Sequence, residues 1–286
     1  RNALIEKNRI HNTHDAASSQ TGATYGIYFS GSDAPIGSPN VAVNNLLYNL
    51  NSNGTIYAIY NSSSDGAHYY HNTISIDHAA ATGGTTRGFY QTTTASDIIF
   101  QNNIISITRG GSGTKHGVYF NTSGSTITSD YNDIYVNSQG SGNQFIGRWN
   151  SVDYATLSNW QTANSNAFDQ NSDSLSPNFA NISNNEYTPN SFTINNAATP
   201  IAGITEDLFG NARSLTTPDI GAIEFTPVPP NDSCVNAIAV TAGVTSGTTT
   251  GSTADTVTAC GTTIDSAGGV WYVYSGTGDF VSASLC

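Results

Sequence analysis

Short apolar runs recur along this chain at a nearly fixed interval, and none is long enough for an amphipathic helix. A small residue, an apolar residue and an aromatic come together as Gly26-Ile27-Tyr28, Ala58-Ile59-Tyr60, Gly88-Phe89-Tyr90, Gly117-Val118-Tyr119 and, degraded, Gly147-Arg148-Trp149. The aromatics lie 32, 30, 29 and 30 residues apart. Between them runs a second motif, Asn, any residue, aliphatic. It reads Asn8-Arg9-Ile10, Asn45-Leu46-Leu47, Asn72-Thr73-Ile74, Asn103-Ile104-Ile105 and Asn132-Asp133-Ile134, at spacings of 37, 27, 31 and 29. The long first gap holds a polar insertion, residues 30–39. Two registers that keep one period mark an internal repeat.

A period near 30 with two or three short strands predicts a parallel β-solenoid. Propeller blades need four strands and about 40 residues. Coils of a solenoid stack about 4.8 Å apart, so equivalent residues lie above one another. Ile10, Leu47, Ile74, Ile105 and Ile134 then form an internal aliphatic stack. Asn8, Asn45, Asn72, Asn103 and Asn132 form an asparagine ladder at a turn, each amide bonding to the next. Residues 1–150 hold about five such coils.

Alternation along a strand leaves two readings of the aromatic column Tyr28, Tyr60, Tyr90, Tyr119 and Trp149. If the preceding apolar residues point inward, the aromatics form an outward strip suited to sugars or protein contacts. Otherwise the rings stack on one another or face the interior, and Arg148 faces out.

Beyond residue 150 the period is lost. Asp153 is placed to cap a short helix through Trp160, with Tyr154, Leu157 and Trp160 at helical spacing. Residues 151–226 read as irregular late coils plus a cap, since an uncovered strand edge would pair with other chains. Residues 227–231, rich in proline, are a stiff linker. From residue 232 the texture turns to Thr- and Val-rich strands, clearest at Gly269-Val270-Trp271-Tyr272-Val273-Tyr274, as at the start of a small β-sandwich module. Both ends read as cut: Arg1 opens the chain without a methionine, and Cys286 closes it inside an apolar run.

Composition narrows the function. Only 10% of residues are charged and the formal net charge is -12, with Lys and Arg totalling 8. Nucleic-acid binding needs clustered cations, so it is excluded, and adsorption to anionic membranes is disfavoured. No apolar run approaches the length of a membrane-spanning helix.

The NNxI and GIY coils resemble right-handed parallel β-helix repeats of the pectate-lyase-like superfamily. Tyr154 to Thr162, Leu175-Ser176-Pro177-Asn178-Phe179, Asp207-Leu208-Phe209-Gly210-Asn211-Ala212-Arg213 and Pro218-Asp219-Ile220-Gly221-Ala222-Ile223-Glu224-Phe225 strengthen the likeness. That ending is similar to the ending of secreted "choice-of-anchor" proteins, many of them type IX secretion cargo. The resemblance covers roughly residues 1–226. It implies an all-β, right-handed parallel β-helix, and export to the surface or surroundings of a Gram-negative bacterium.

Polysaccharide cleavage by such a fold needs grouped carboxylates or acidic calcium ligands with an Arg or Lys base. Placed by repeat phase, no two adjacent coils share a carboxylate position. A polar column, His14, Asn51, His78 and Arg109, lacks carboxylates in register. The expectation is therefore a non-enzymatic stalk or adhesin-like display surface for glycans or surface proteins. Alternatives are a polysaccharide lyase or hydrolase with active coils upstream, and cargo or a subunit of a secretion or outer-membrane complex. No cofactor is expected. The stretch from Asp169 to Asp173 resembles the opening of a calcium loop, but lacks the following Gly and has Ala180 at position twelve. Ser174, Thr256 and Ser266 sit in triplets that resemble an O-glycan acceptor pattern. Cys234 and Cys260 are candidates for a disulfide that strands Cys286, against three free buried thiols.

Overall fold

The structure is a computed structural model, and it describes residues 2–14, 20–254, 268–276, 278 and 282. The chain divides into two compact units, Arg1–Phe225 and Thr226–Cys286.

The first unit is a right-handed parallel β-helix of five three-stranded coils. Sheet A joins β1 (Leu4–Glu6), β4 (Asn40–Val43), β7 (Ala67–Tyr70), β10 (Ile98–Gln101) and β13 (Ile127–Asp130). Sheet B joins β2 (Arg9–His11), β5 (Leu46–Tyr48), β8 (Thr73–Ile76), β11 (Ile104–Ile107) and β14 (Asp133–Val136). Sheet C joins β3 (Thr24–Ser30), β6 (Ile56–Ser62), β9 (Thr86–Thr92), β12 (Lys115–Phe120) and β15 (Gln144–Trp149), and ends in the antiparallel β16 (Val152–Tyr154).

The turn from sheet A to sheet B explains the asparagine repeat. One left-handed residue makes each turn: Lys7, Asn44, His71, Asn102 or Tyr131, with φ between 50° and 61°. The ladder Asn follows it. Asn8, Asn45, Asn72 and Asn103 each donate from the side-chain amide to the Oδ1 of the next ladder Asn, at 2.9 to 3.2 Å. Their backbone N–H groups donate to the same oxygens. From Asn45 onward, the amide also donates to a carbonyl of the preceding coil, that of Ile5, Ala42, Tyr69 or Phe100. Asn8 turns its amide to Glu6 of its own coil instead. The ladder amides are thereby paired at every turn, which holds the left-handed residues in place.

The aliphatic stack has the expected register, Ile10, Leu47, Ile74, Ile105 and Ile134 in successive coils. All are fully buried except Ile10 of the first coil, which is half-buried and packs against the core. Gly26, Gly88 and Gly117 face this stack. A Cβ at these glycines would lie 2.6 Å from Leu47, 2.5 Å from Ile105 and 2.3 Å from Ile134 respectively. The small-residue row therefore lies inside the coil rather than beside the aromatics on its surface.

The C-terminal end is closed by side chains. Gly147 stands in register with Val118, Phe89, Ile59 and Ile27, and the Trp160 ring packs where its side chain would be. Trp160 ends α1 (Leu157–Trp160), is fully buried and stacks on Phe168 at 5.1 Å. The cap of α1 is Thr156, whose hydroxyl accepts from the Asn159 N–H. The expected cap, Asp153, lies instead on β16. Asn150 and Ser151, both left-handed, reverse the chain, and Asp153 returns opposite Arg148.

Residues 169–173 begin a sixth coil: Asp169 N–H donates to Ser129 O, and Asp173 exchanges backbone bonds with Asn132 and Ile134. The later residues do not coil further. They run back across sheet B as a strap. Tyr187, Leu208, Ala222 and Ile223 bury Leu46 and Tyr48, while Ile194, Ala198 and Ile220 bury Ile104. Arg213 ties the strap down: it donates to Glu224 at 2.7 Å, to Gly221 O and to Asn44 Oδ1 of the turn column. Asp207 accepts from Phe209, Asn211 and Glu224 N–H, and Asp219 from Asn196 and Phe225 N–H. These bonds give the Asp207–Arg213 and Pro218–Phe225 motifs their physical role.

In the second unit, β17 (Ile238–Val240) pairs in parallel with β18 (Tyr272–Tyr274).

Candidate functional site

Sheet B is covered by the strap, and sheet C carries an aromatic face on its outer side. The strand pattern of sheet C departs from simple alternation. In β3 the small Gly26 and the following Ile27 both turn inward, so Tyr25 and Tyr28, three residues apart, both turn outward. The same break recurs in β6, and it has the character of a bulge. Two outward columns result. One runs Tyr28, Tyr60, Tyr90, Tyr119 and Arg148. The other runs Tyr25, Tyr57, Arg87, His116 and Phe145.

The two columns form one slab. Tyr28 and Tyr60 stack at 4.6 Å with planes 6° apart, and Tyr60 and Tyr90 at 4.8 Å and 25°. Tyr25 stacks on Tyr28 and on Tyr57, and Tyr57 on Tyr60 and Tyr90, at 5.2 to 5.4 Å. Tyr119 meets Tyr90 edge-on, at 86°. The Arg87 guanidinium fills the space between them, 4.2 Å from the Tyr90 ring centre and 4.1 Å from that of Tyr119. Arg148 approaches Tyr119 at 5.2 Å. Tyr25 and Tyr28 are about half exposed, while Tyr57, Tyr60, Tyr90 and Tyr119 are half-buried. Stacked rings use their faces on one another, so they offer edges to solvent.

A polar group borders the slab. Asp153 Oδ1 lies 2.7 Å from Arg148 and 2.9 Å from His116 Nε2. Burial holds the His116 pKa below its usual value, so the neutral ring donates its Nε2–H to Asp153. Burial pushes the Asp153 carboxyl up, but hydrogen bonds from Arg148 and His116 outweigh it and leave the pKa low. Burial raises the phenols of Tyr57 and Tyr60, which stay protonated.

The expected site residues are placed as follows. Tyr28, Tyr60, Tyr90 and Tyr119 share one outward column. Trp149 does not join it: it stands opposite Phe120, buried, and Arg148 takes its place. In the fifth repeat Gly147 occupies the apolar position rather than the small one, which moves the column to Arg148. Tyr25, Tyr57, Arg87 and His116 were missed, although an aromatic three residues before the column was legible in Tyr25 and Tyr57.

Arg109 and His78 of the polar column are buried. Arg109 donates to Ser52 O, Gly54 O, Gly84 O and Thr86 Oγ1, tying three coils together from inside. Asp169, first residue of the calcium-like stretch, is fully buried. Its oxygens accept from Asn132 Nδ2, Ser129 Oγ, Ser172 Oγ and Trp160 Nε1 at 2.7 to 2.9 Å, so it ends the asparagine ladder. Among the described residues, no three His, Cys, Asp or Glu side chains are grouped to hold a metal ion.

Two pairs of acids share a position in adjacent coils, against the expectation from repeat phase: Asp133 and Asp173 meet in a parallel bridge, and the other pair is Asp33 and Asp65. Asp33 and Asp65 stand in equivalent places of successive coils, each accepting the N–H of the next coil, from Asp65 and Ser96 respectively. The insertion before Asn40 had hidden that phase. Ser174 is half-buried beside Asp173. Cys234 is exposed. Cys260, Cys286, Thr256 and Ser266 lie outside the described residues. Among the described residues, no helix is long and apolar enough to cross a membrane.

No protein family, curated protein or solved structure matches this chain.

Proposed function

We propose that the chain is a non-enzymatic display segment of a larger exported or surface protein, and that the outer face of sheet C is its contact surface for glycans or surface proteins. The six-tyrosine slab carries the reading. Sheet B buries Leu46, Tyr48 and Ile104 under the strap, whereas sheet C leaves large aromatics partly in solvent, where such residues serve contacts. The reading requires no cofactor. The resemblance of the coils and of the strap motifs supports a pectate-lyase-like, "choice-of-anchor" protein, exported by the type IX route to the surface of a Gram-negative bacterium.

The mode of contact follows from the stacking. A sugar cannot lie on each tyrosine in turn, because most ring faces meet other rings. Contact runs along the edges and phenol groups, each weak, with strength from many in line. Replacing Tyr60 and Tyr90 together by Ala is expected to weaken binding to bacterial and host-surface glycan arrays by roughly tenfold or more. The circular dichroism spectrum should be kept, since these rings are half-buried on a face and not in the core. Unchanged array binding by a folded double variant would refute the contact role.

A further inference from the structure

The cations of this acidic chain are mostly accounted for. Arg109, Lys115 and Arg213 are buried and bonded to oxygens of the fold. Lys7 pairs with Glu206, and Arg148 with Asp153. Arg87 makes no ion pair among the described residues. It has one hydrogen bond, from Nη1 to Tyr57 Oη at 3.4 Å, and its Nε is buried with no partner. Its column is otherwise filled by Tyr25, Tyr57, His116 and Phe145, so packing alone asks for an aromatic there. A half-buried guanidinium loses hydration, and contacts with the rings of Tyr57, Tyr90 and Tyr119 supply no counter-charge. With Asp153 matched to Arg148, the slab keeps one uncompensated positive charge in a molecule of net charge -12.

We propose that Arg87 is an anion receptor on the sheet C face, and that it takes a sulfate ester of a glycan laid along the tyrosine slab. This rests on the contact-surface reading above. A guanidinium fixed between rings is a flat, weakly hydrated donor set that matches oxyanions. A sulfate ester is weakly hydrated too, so it gives up less on entering this aromatic setting than a carboxylate does. The tyrosine edges and hydroxyls beside it contact the sugar ring that carries the ester.

The test uses the full chain in titration calorimetry with three polymers: dextran sulfate, carboxymethyl dextran of matched charge density, and plain dextran. The variants are Arg87→Tyr, which gives this coil the residue Tyr57 already supplies in the coil before, Arg87→Gln, and the Tyr60/Tyr90 double Ala variant. The parent should bind dextran sulfate roughly tenfold or more tightly than carboxymethyl dextran, and either Arg87 variant should lose about that factor. Binding of dextran sulfate unchanged in Arg87→Tyr would overturn the proposal, as would equal affinity for the two charged polymers. Plain dextran bound as well as the sulfated form, and lost in the double Ala variant, would leave the contact surface standing without its anion receptor. No binding of any polymer by the parent would remove both for these glycans.

Discussion

Asn72→Leu is expected to cost a large share of the stability of the β-helix, while Asn8→Leu is expected to cost little. Asn72 is fully buried in the middle of the ladder. Its Oδ1 accepts from both the backbone N–H and the side-chain amide of Asn45, and its own amide donates to Asn103 Oδ1 and Ala42 O. Leucine has a similar size but none of these groups. Buried partners are left without bonds, at about 1 to 3 kcal/mol each, so a loss of about 4 kcal/mol or more is expected. That is a large share of the roughly 5–15 kcal/mol by which a domain is stable. Asn8 is exposed, so water can replace the bonds its amide gives to Asn45 Oδ1 and Glu6 O, and its loss should cost about 0.5–1.5 kcal/mol. Denaturant melts of both variants against the parent give the comparison. Equal losses would mean that the ladder does not act as a chain of mutually dependent bonds.

This ladder also shows why the coils were legible. A solenoid repeats the same contact in each coil, so a residue needed once is needed at every period. The asparagines and aliphatics therefore appear at fixed spacing, and their stacking order follows from strand geometry alone. The strap and cap obey no period. Arg213, Asp207 and Asp219 each meet a unique set of partners, and their pairing depends on where the chain turns back. Nothing in the local pattern states that residues 175–225 return across sheet B. The end of the ladder is of the same kind. Asp169 suits that place because four donors converge on it, and a carboxylate accepts without donating.

The aromatic face was half legible for a related reason. The period found the column from Tyr28 to Tyr119, but strict alternation hides the second column. Alternation puts Tyr25 on the face opposite Tyr28, and only the inward turn of Gly26 brings them together. Gly147 is a glycine in a different role, since it stands at the apolar position and its absent side chain makes room for Trp160. A glycine carries no label for the role it serves. The contact that a Cβ would make distinguishes the two uses, and that contact exists only in the folded chain.

Asp133→Val is expected to stabilise the protein at neutral pH, by about 2 kcal/mol or more. Asp133 sits in the sheet B column after Leu46, Thr73 and Ile104, all buried. It is fully buried, neither of its carboxyl oxygens has a hydrogen-bond partner, and Asp173 faces it across a bridge between the fifth coil and the start of the sixth. Burial first, and Asp173 second, push its pKa well above the usual carboxylate value. The folded chain therefore holds a proton that the unfolded chain releases near pH 3.9. Below that pH both states are protonated and the group has no effect on pH dependence. As pH rises beyond it, the unfolded state is favoured by losing the proton, and stability falls until the folded carboxyl ionises as well. Valine suits a strand position stacked on Ile104, and it removes the unbonded oxygens, the repulsion from Asp173 and the proton linkage. The gain of the variant over the parent should thus be smaller at pH 4 than at pH 7, as measured by denaturant melts at both values. A variant no more stable than the parent at pH 7, or a gain that does not change with pH, would show that Asp133 is neutralised by something other than a proton.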